Sequence, residues 1–191
     1  MKIQMELLSD TIFGNGRSIP GEEDISVLSD ENGFPYYKGG TFKGIFREEL
    51  SQYLALIEGD KNELNRLLGS KEDDSTEGPD KLFFSDFRIS DSVKKAVLCE
   101  IGEGKPEVVR NAFTSMRTFT KIGSDGTAAT GSLRVARCVN KGVVLYSELV
   151  CCPADEQLIE DVLGLIKSIG SMRNRGFGQV RITRARESGR D

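Results

Sequence analysis

Two stretches of helical period are set apart in this chain, each with strand-like stretches on either side. That order narrows the fold more than any other feature. Over residues 42–57 the apolar side chains Phe42, Ile45, Phe46, Leu50, Tyr53, Leu54 and Ile57 recur close to every 3.6 positions. Pro153 opens the second stretch, where Leu158, Ile159, Val162, Leu163, Ile166 and Ile169 share a face and Gly170 marks the end. Around them, residues 2–8 place Ile3, Met5 and Leu7 on one side. Residues 143–152 do the same with Val143, Leu145, Ser147, Leu149 and Cys151, and residues 179–186 alternate as a last strand. Residues 82–89, 97–101 and 133–139 also look extended, while 108–119 fits either a strand or irregular structure.

Helices split among strands, without the regular alternation of a parallel sheet, favour an α+β sandwich. The expected core is ferredoxin-like, βαββαβ, with large insertions. At 191 residues the chain is read as a single domain, 1–191. Residues 9–23 are rich in Gly, Ser and Pro and read as a loop. Residues 58–81, ending in GSKEDDSTEGPDK, read as an acidic, flexible surface insertion.

Several chemistries are excluded by composition. The chain has no histidine, which removes Ser-His-Asp and Cys-His nucleophilic schemes. Cys99, Cys138, Cys151 and Cys152 include no C-x-x-C pair, so no structural metal is expected, and the adjacent Cys151 and Cys152 read as buried thiols rather than a disulfide. Hydrolysis would therefore rest on carboxylates, a recruited metal ion or the substrate's own nucleophile. No apolar run approaches the ~20 residues that span a bilayer, and Glu6 and Asp10 interrupt the N-terminal apolar residues. A cytoplasmic protein without a membrane partner is expected.

The net charge of −4 argues against nucleic acid until its distribution is considered. Residues 171–191 hold Arg173, Arg175, Arg181, Arg184, Arg186 and Arg190 against only Glu187 and Asp191. A local basic stripe is what a phosphate backbone senses. Two glycine-bearing segments suit the same partner. In GFPYYKGGTFKGIFR, residues 33–47, Gly39 and Gly40 precede a helix start, with Lys43 and Arg47 four residues apart on one face. In GSMRNRGFGQVR, residues 170–181, Gly176 and Gly178 flank Phe177, an aromatic side chain able to stack on a base beside Arg173 and Arg175. A third small-residue stretch, 121–132, lies between Arg117 and Arg134. Each segment alone also fits an ordinary surface loop, and Lys43 and Arg47 could simply pair with Glu48 and Glu49.

Taken together, these segments resemble the RAMP superfamily, in particular the backbone subunits of type III CRISPR effector complexes. PYYKGGTFKGIFREEL is similar to the family's Pro-Tyr-Ile-Pro-Gly-Ser-Ser-Leu-Lys-Gly-x-x-Arg, and SMRNRGFGQVRI to its C-terminal glycine-rich loop. LFFSDFRI resembles the family's Phe-Ser-Asp strand, and FTKIGSDGTAATGSLR the segment that precedes its Gly-Ser-Leu. The resemblance implies an RNA-recognition-motif-like domain with a thumb-like hairpin at 108–138. It also implies guide RNA, target RNA, other RAMP subunits and copies of the chain itself as partners. Lys43, Arg47, Arg117, Arg173, Arg175, Gly176, Phe177 and Gly178 would meet RNA. Asp24, followed by apolar residues and then Asp30 just before Gly33-Phe-Pro35, matches the family's catalytic spacing. It would make the protein a target-RNA endoribonuclease, assisted by a divalent cation such as Mg2+. The alternatives are a non-catalytic capping subunit of the same kind and an assembly module whose basic stripe contacts an acidic protein.

Overall fold

A computed structural model describes residues 1–14, 18, 23–60, 62–69, 81–123 and 126–185. In chain order the elements are β1 (Lys2–Leu7), α1 (Gly39–Leu56), α2 (Asn62–Leu68), β2 (Phe83–Phe84), α3 (Asp91–Ile101) and α4 (Pro106–Phe113). They continue with β3 (Thr114–Phe119), β4 (Arg134–Val139), β5 (Val144–Val150), α5 (Glu156–Leu165) and β6 (Val180–Arg184). One antiparallel sheet runs in the order β2-β5-β1-β6, and β3 and β4 form a separate two-stranded sheet. Taken alone, β1, α1, β2, β5, α5 and β6 make a βαββαβ unit with its first and third strands central. That is the ferredoxin-like core the order of periodicities predicts.

Register explains why one face of the sheet carries the core. Ile3 stands opposite Ser147, Met5 opposite both Leu145 and Ile182, and Leu7 opposite Val180. These residues are buried, and α1 and α5 pack over them through Phe42, Phe46, Leu50, Ile159, Val162 and Leu163. Each such side chain contributes roughly 1.5–3 kcal/mol when taken fully from water. The intervening Lys2, Gln4 and Glu6 point to the opposite face, as a two-residue period requires.

Between β2 and β5 the chain inserts α3, α4 and the β3–β4 hairpin, whose register runs from Thr114↔Val139 to Phe119↔Arg134. Two sequence expectations change here. Residues 97–101 are helical, because the Ser90 hydroxyl accepts the Val93 N–H at the start of α3 and Gly102, at φ 85°, ends it. Residues 108–119 divide into helix and strand. Pro106 at the first helical position and Glu107 in the first turn start α4, and the chain becomes extended at Thr114. A third difference concerns α5, which stops at Leu165 although Ile166 and Ile169 continue its periodicity and are buried. There the chain turns extended to pair with the approach to β6. Ile169 N–H donates to Gly178 O at 2.8 Å and Val180 N–H to Lys167 O at 3.0 Å. Tertiary pairing has overridden local period.

Within the 58–81 insertion, α2 is held by Arg66, which donates to Glu63 and to Asp155 at the entrance to α5, each at 2.6 Å. Residues 70–80, the acidic part of that expectation, lie outside the described residues. Residues 15–17 and 19–22 of the 9–23 stretch lie outside the described residues, and the described parts of the β1–α1 connection form a strap. Thr11 bridges Val139 at the end of the hairpin, Ile12 bridges Ser171, Gly14 bridges Val27, and Ile25 bridges Ala136. The strap thus ties the hairpin to the chain that follows α5.

Candidate nucleic-acid interface

The start of α1 is built by close contact. Gly39 lies so near β2 that a Cβ there would stand 2.1 Å from Phe84 O, and its N–H donates to Asp86 Oδ1 at 3.1 Å. Asp86 therefore supplies the anion that the helix start favours. Helix geometry leaves the next two N–H groups, of Gly40 and Thr41, without intrahelical acceptors, and both residues are exposed. Gly40 has open space around it. One glycine of the pair packs, and the other leaves the helix start accessible.

The two α1 cations predicted to meet RNA differ in position. Arg47 is turned into the protein, where Nη1 donates to Gly69 O at 2.8 Å and Nη2 to Leu68 O at 2.7 Å. Its guanidinium satisfies the last carbonyls of α2, a helix-terminus role. It pairs with neither Glu48 nor Glu49. Lys43 is half-buried one turn earlier.

The second glycine segment begins with Met172 in the left-handed region, at φ 59°, and makes a 3₁₀ turn over Arg173–Arg175. Arg173 and Arg175 are exposed, and neither guanidinium has a hydrogen-bond or ion-pair partner among the described residues. The rest of the described C-terminal basic stripe is neutralised within the fold. Arg181 meets Glu6 at 3.4 Å, and Arg184 meets Glu156 at 2.8 Å and Glu160 at 3.2 Å. Arg186 and Arg190 lie outside the described residues. Gly176 again faces open space, whereas a Cβ on Gly178 would stand 2.0 Å from Ile169 O. Phe177 is half-buried against Phe119 of the hairpin, ring centroids 5.5 Å apart and edge-on, beside a small second core of Ile12, Ala136 and Cys138. The ring expected to stack on a base thus has one side against the hairpin and stays partly exposed.

The two segments converge. A cavity of about 320 Å³ opens between Lys38, Thr41 and Ile45 on the α1 side and Gly170, Ser171 and Arg173 on the other, with Tyr37 and Phe13 among the residues that wall it. A second hollow is lined by Met172, Arg173, Asn174 and Arg175. Burial pushes the Tyr37 hydroxyl up to about 12 despite the opposing pull of the Arg173 charge, so it stays a neutral donor. Lys38, Thr41, Ser171 and Tyr37 were not singled out from sequence, because only folding sets the two segments side by side.

The hairpin side carries the remaining candidates. Arg117 pairs with Asp10 at 2.5 Å and is half exposed. Burial raises the Asp10 carboxyl, but hydrogen bonds from Arg117 and the Lys141 N–H outweigh it and hold the group below its ordinary value. Asp24 lies on the outer edge of β4. Its N–H donates to Val135 O and its Oδ2 accepts the Val135 N–H, both at 2.8 Å, while Oδ1 is 3.5 Å from Arg134 Nη1. The carboxylate is 40% exposed and open to a ligand. Asp30, the second aspartate of the spacing, has a structural task. Its Oδ1 accepts the N–H groups of Asn32 and Phe34, and its Oδ2 pairs with Lys94 at 2.8 Å.

Among the described residues no three acidic or cysteine side chains gather as a metal site. The Asp24 carboxylate stands beside Arg134, and that of Glu23 is enclosed with Arg137 and Arg110. This donor set does not fit a divalent cation held by the protein alone. Among the described residues no helix is long and apolar enough to cross a membrane.

The sheet order, the inserted hairpin and the paired glycine segments define a ferredoxin-like domain with insertions. The chain belongs to the RAMP superfamily, whose family model matches residues 4–181. Solved structures share its fold at low sequence identity. A chain of the type III-B Cmr-beta complex bound to cognate target RNA is 15% identical with a TM-score of 0.67, over 95% of each chain. A chain of the apo-state Cmr-beta complex is 13% identical with a TM-score of 0.71, over 97% of each. No curated protein matches the sequence.

Proposed function

We propose that this chain is an RNA-binding backbone subunit of a type III CRISPR antiviral effector complex, which grips guide RNA and cuts target RNA at regular intervals through Asp24. One observation carries the reading. Arg173 and Arg175 stand exposed without protein partners where the 170–176 segment meets the open start of α1. Unpaired guanidiniums beside free helix-start N–H groups are a receptor for phosphate. Membership of the RAMP superfamily and the shared fold of chains from Cmr-beta complexes support the assignment. The partners that follow are guide and target RNA, other RAMP subunits and copies of this chain. The β3–β4 hairpin serves as the thumb, with Arg117 at its base tied to Asp10.

The geometry at Asp24 suits positioning chemistry. RNA carries its own nucleophile, the 2′-hydroxyl, whose oxygen bonds to the adjacent phosphorus as the 5′-oxygen leaves. With Oδ2 fixed by the Val135 N–H, the exposed carboxylate can accept the 2′-hydroxyl proton and orient that attack. The same contacts favour a second reading, a subunit that binds without cutting, because both carboxylate oxygens already face donors from β4.

Two variants in the assembled complex test these points. Arg173→Ala combined with Arg175→Ala should weaken RNA binding and make the slope of log affinity against log salt shallower by about two, one per phosphate contact. An unchanged slope would move the interface elsewhere. Asp24→Ala should abolish cleavage at the periodic sites with guide and target binding retained. Undiminished cleavage would leave the binding-only reading for this residue.

A further inference from the structure

Glu23 precedes Asp24 at a bend in the chain, and the two side chains part there: that of Glu23 is fully enclosed and that of Asp24 is 40% exposed. Asp24 turns outward, and Glu23 turns in beneath the hairpin, where its side chain has no exposed surface. Arg137 Nε donates to Glu23 Oε2 at 2.5 Å, and its Nη1 donates to Asn111 Oδ1 at 2.8 Å and Thr114 Oγ1 at 3.1 Å. The other carboxylate oxygen, Oε1, receives no hydrogen bond, although Arg110 Nη1 is 4.0 Å away, and Arg110 Nε is likewise buried without a partner. Arg110 is held on its far side by Glu107 at 2.5 Å.

We infer that Glu23 is the positioning residue for Asp24, and that its buried pair with Arg137 sets where the Asp24 carboxylate stands on the hairpin. This rests on the reading of Asp24 as the residue that serves RNA cleavage. Apart from the Thr11–Val139 bridge at the far end of β4, the strap touches that strand through few bonds: Asp24 N–H and Ile25 N–H to Val135 O, Asp24 Oδ2 to Val135 N–H, and Arg137 N–H to Ile25 O at 3.0 Å. All lie within residues 24–25, and Glu23 is the anchor next to them. Buried ion pairs are poor sources of stability, since apolar packing of the same volume does as well or better. A half-satisfied one fits a different purpose, which is fixing geometry. Because no part of the Glu23 side chain reaches solvent, it cannot touch RNA and acts only through its neighbour.

The test uses the assembled complex loaded with guide RNA, and a target RNA complementary to that guide. Glu23→Gln keeps the shape and removes the charge. It should lower the single-turnover cleavage rate on the order of 100-fold, the scale of an ångström-sized misplacement, with target affinity unchanged. In the full-length chain, hydrogen exchange at the Val135 amide, whose acceptor is Asp24 Oδ2, should accelerate while amides of β1 and β5 stay protected. Arg137→Lys, which keeps the charge and loses the Nε donor, should act in the same direction and serves if Glu23→Gln does not fold. Wild-type cleavage and wild-type Val135 protection in both variants would overturn the inference. So would exchange that rises equally throughout the sheet, which would mark Glu23 as a general folding residue. If Asp24→Ala itself cleaves normally, the nuclease reading fails on its own, and Val135 exchange still decides whether Glu23 holds Asp24.

Discussion

Burial gives Tyr37 a measurable signature. Its ring is 3% exposed against Phe13 and Phe87, and its hydroxyl titrates near 12 instead of 10. The folded state therefore keeps a proton that the unfolded state releases once pH passes 10. Tyr37 contributes its full share of stability below pH 10 and loses it as pH climbs towards 12. Two units correspond to roughly 2–3 kcal/mol. Urea unfolding of wild type and Tyr37→Phe across that window should show a fall in wild-type stability that the variant lacks. Equal pH slopes would mean that the hydroxyl is not buried. Residue-level roles were the hardest to read from sequence. Arg47 and Lys43 have helix-face spacing that fits a ligand, yet Arg47 finds the carbonyls of α2, twenty-odd residues ahead. Glu23 and Asp24 look alike in an acidic loop, and only folding sends one inward and the other out.

Among the elements, the 170–178 turn shows how two glycines of one motif differ in purpose. Gly178 has φ 75° and no room for a Cβ beside Ile169 O, whereas Gly176 has φ 84° and open space. Gly178→Ala should cost more than about 2 kcal/mol, because a left-handed penalty and a backbone clash add. Gly176→Ala should cost only the left-handed penalty of about 1–2 kcal/mol. Denaturant unfolding of the two variants checks the order, and equal losses would contradict it. The elements also separate what pattern can and cannot show. The long amphipathic helix α1 and the alternating β1 and β5 were legible because a single period ran through each. α3 escaped because residues 97–101 form a short apolar run that also reads as a strand, and its capping Ser90 lies seven residues upstream. The end of α5 escaped because the pairing that stops it comes from Gly178 and Val180.

For the molecule as a whole, the ferredoxin-like order was legible because it depends on which segments alternate and which wind, and both are local. The charge pattern was legible only in part. Among the described residues, the basic C-terminal stripe read from composition becomes two exposed arginines beside cavities and two others paired with Glu6, Glu156 and Glu160. The surface proposed to face phosphate is thus, among the described residues, narrower than the sequence implied.

That strap has a consequence for length. By composition, residues 9–23 are spacer, and spacers ordinarily gain or lose residues freely. Here Thr11 exchanges both backbone bonds with Val139 at 2.9 Å, and the next residue, Ile12, accepts the Ser171 N–H at 2.8 Å. One residue more or fewer between them would flip Ile12 out of the small core it shares with Ala136 and Cys138. It would also shift the hairpin against the arginine turn by a residue's rise, about 3.3 Å. Thr11 and Ile12 therefore work as a ruler, fixing the spacing between the hairpin that bears the proposed cutting edge and the proposed grip.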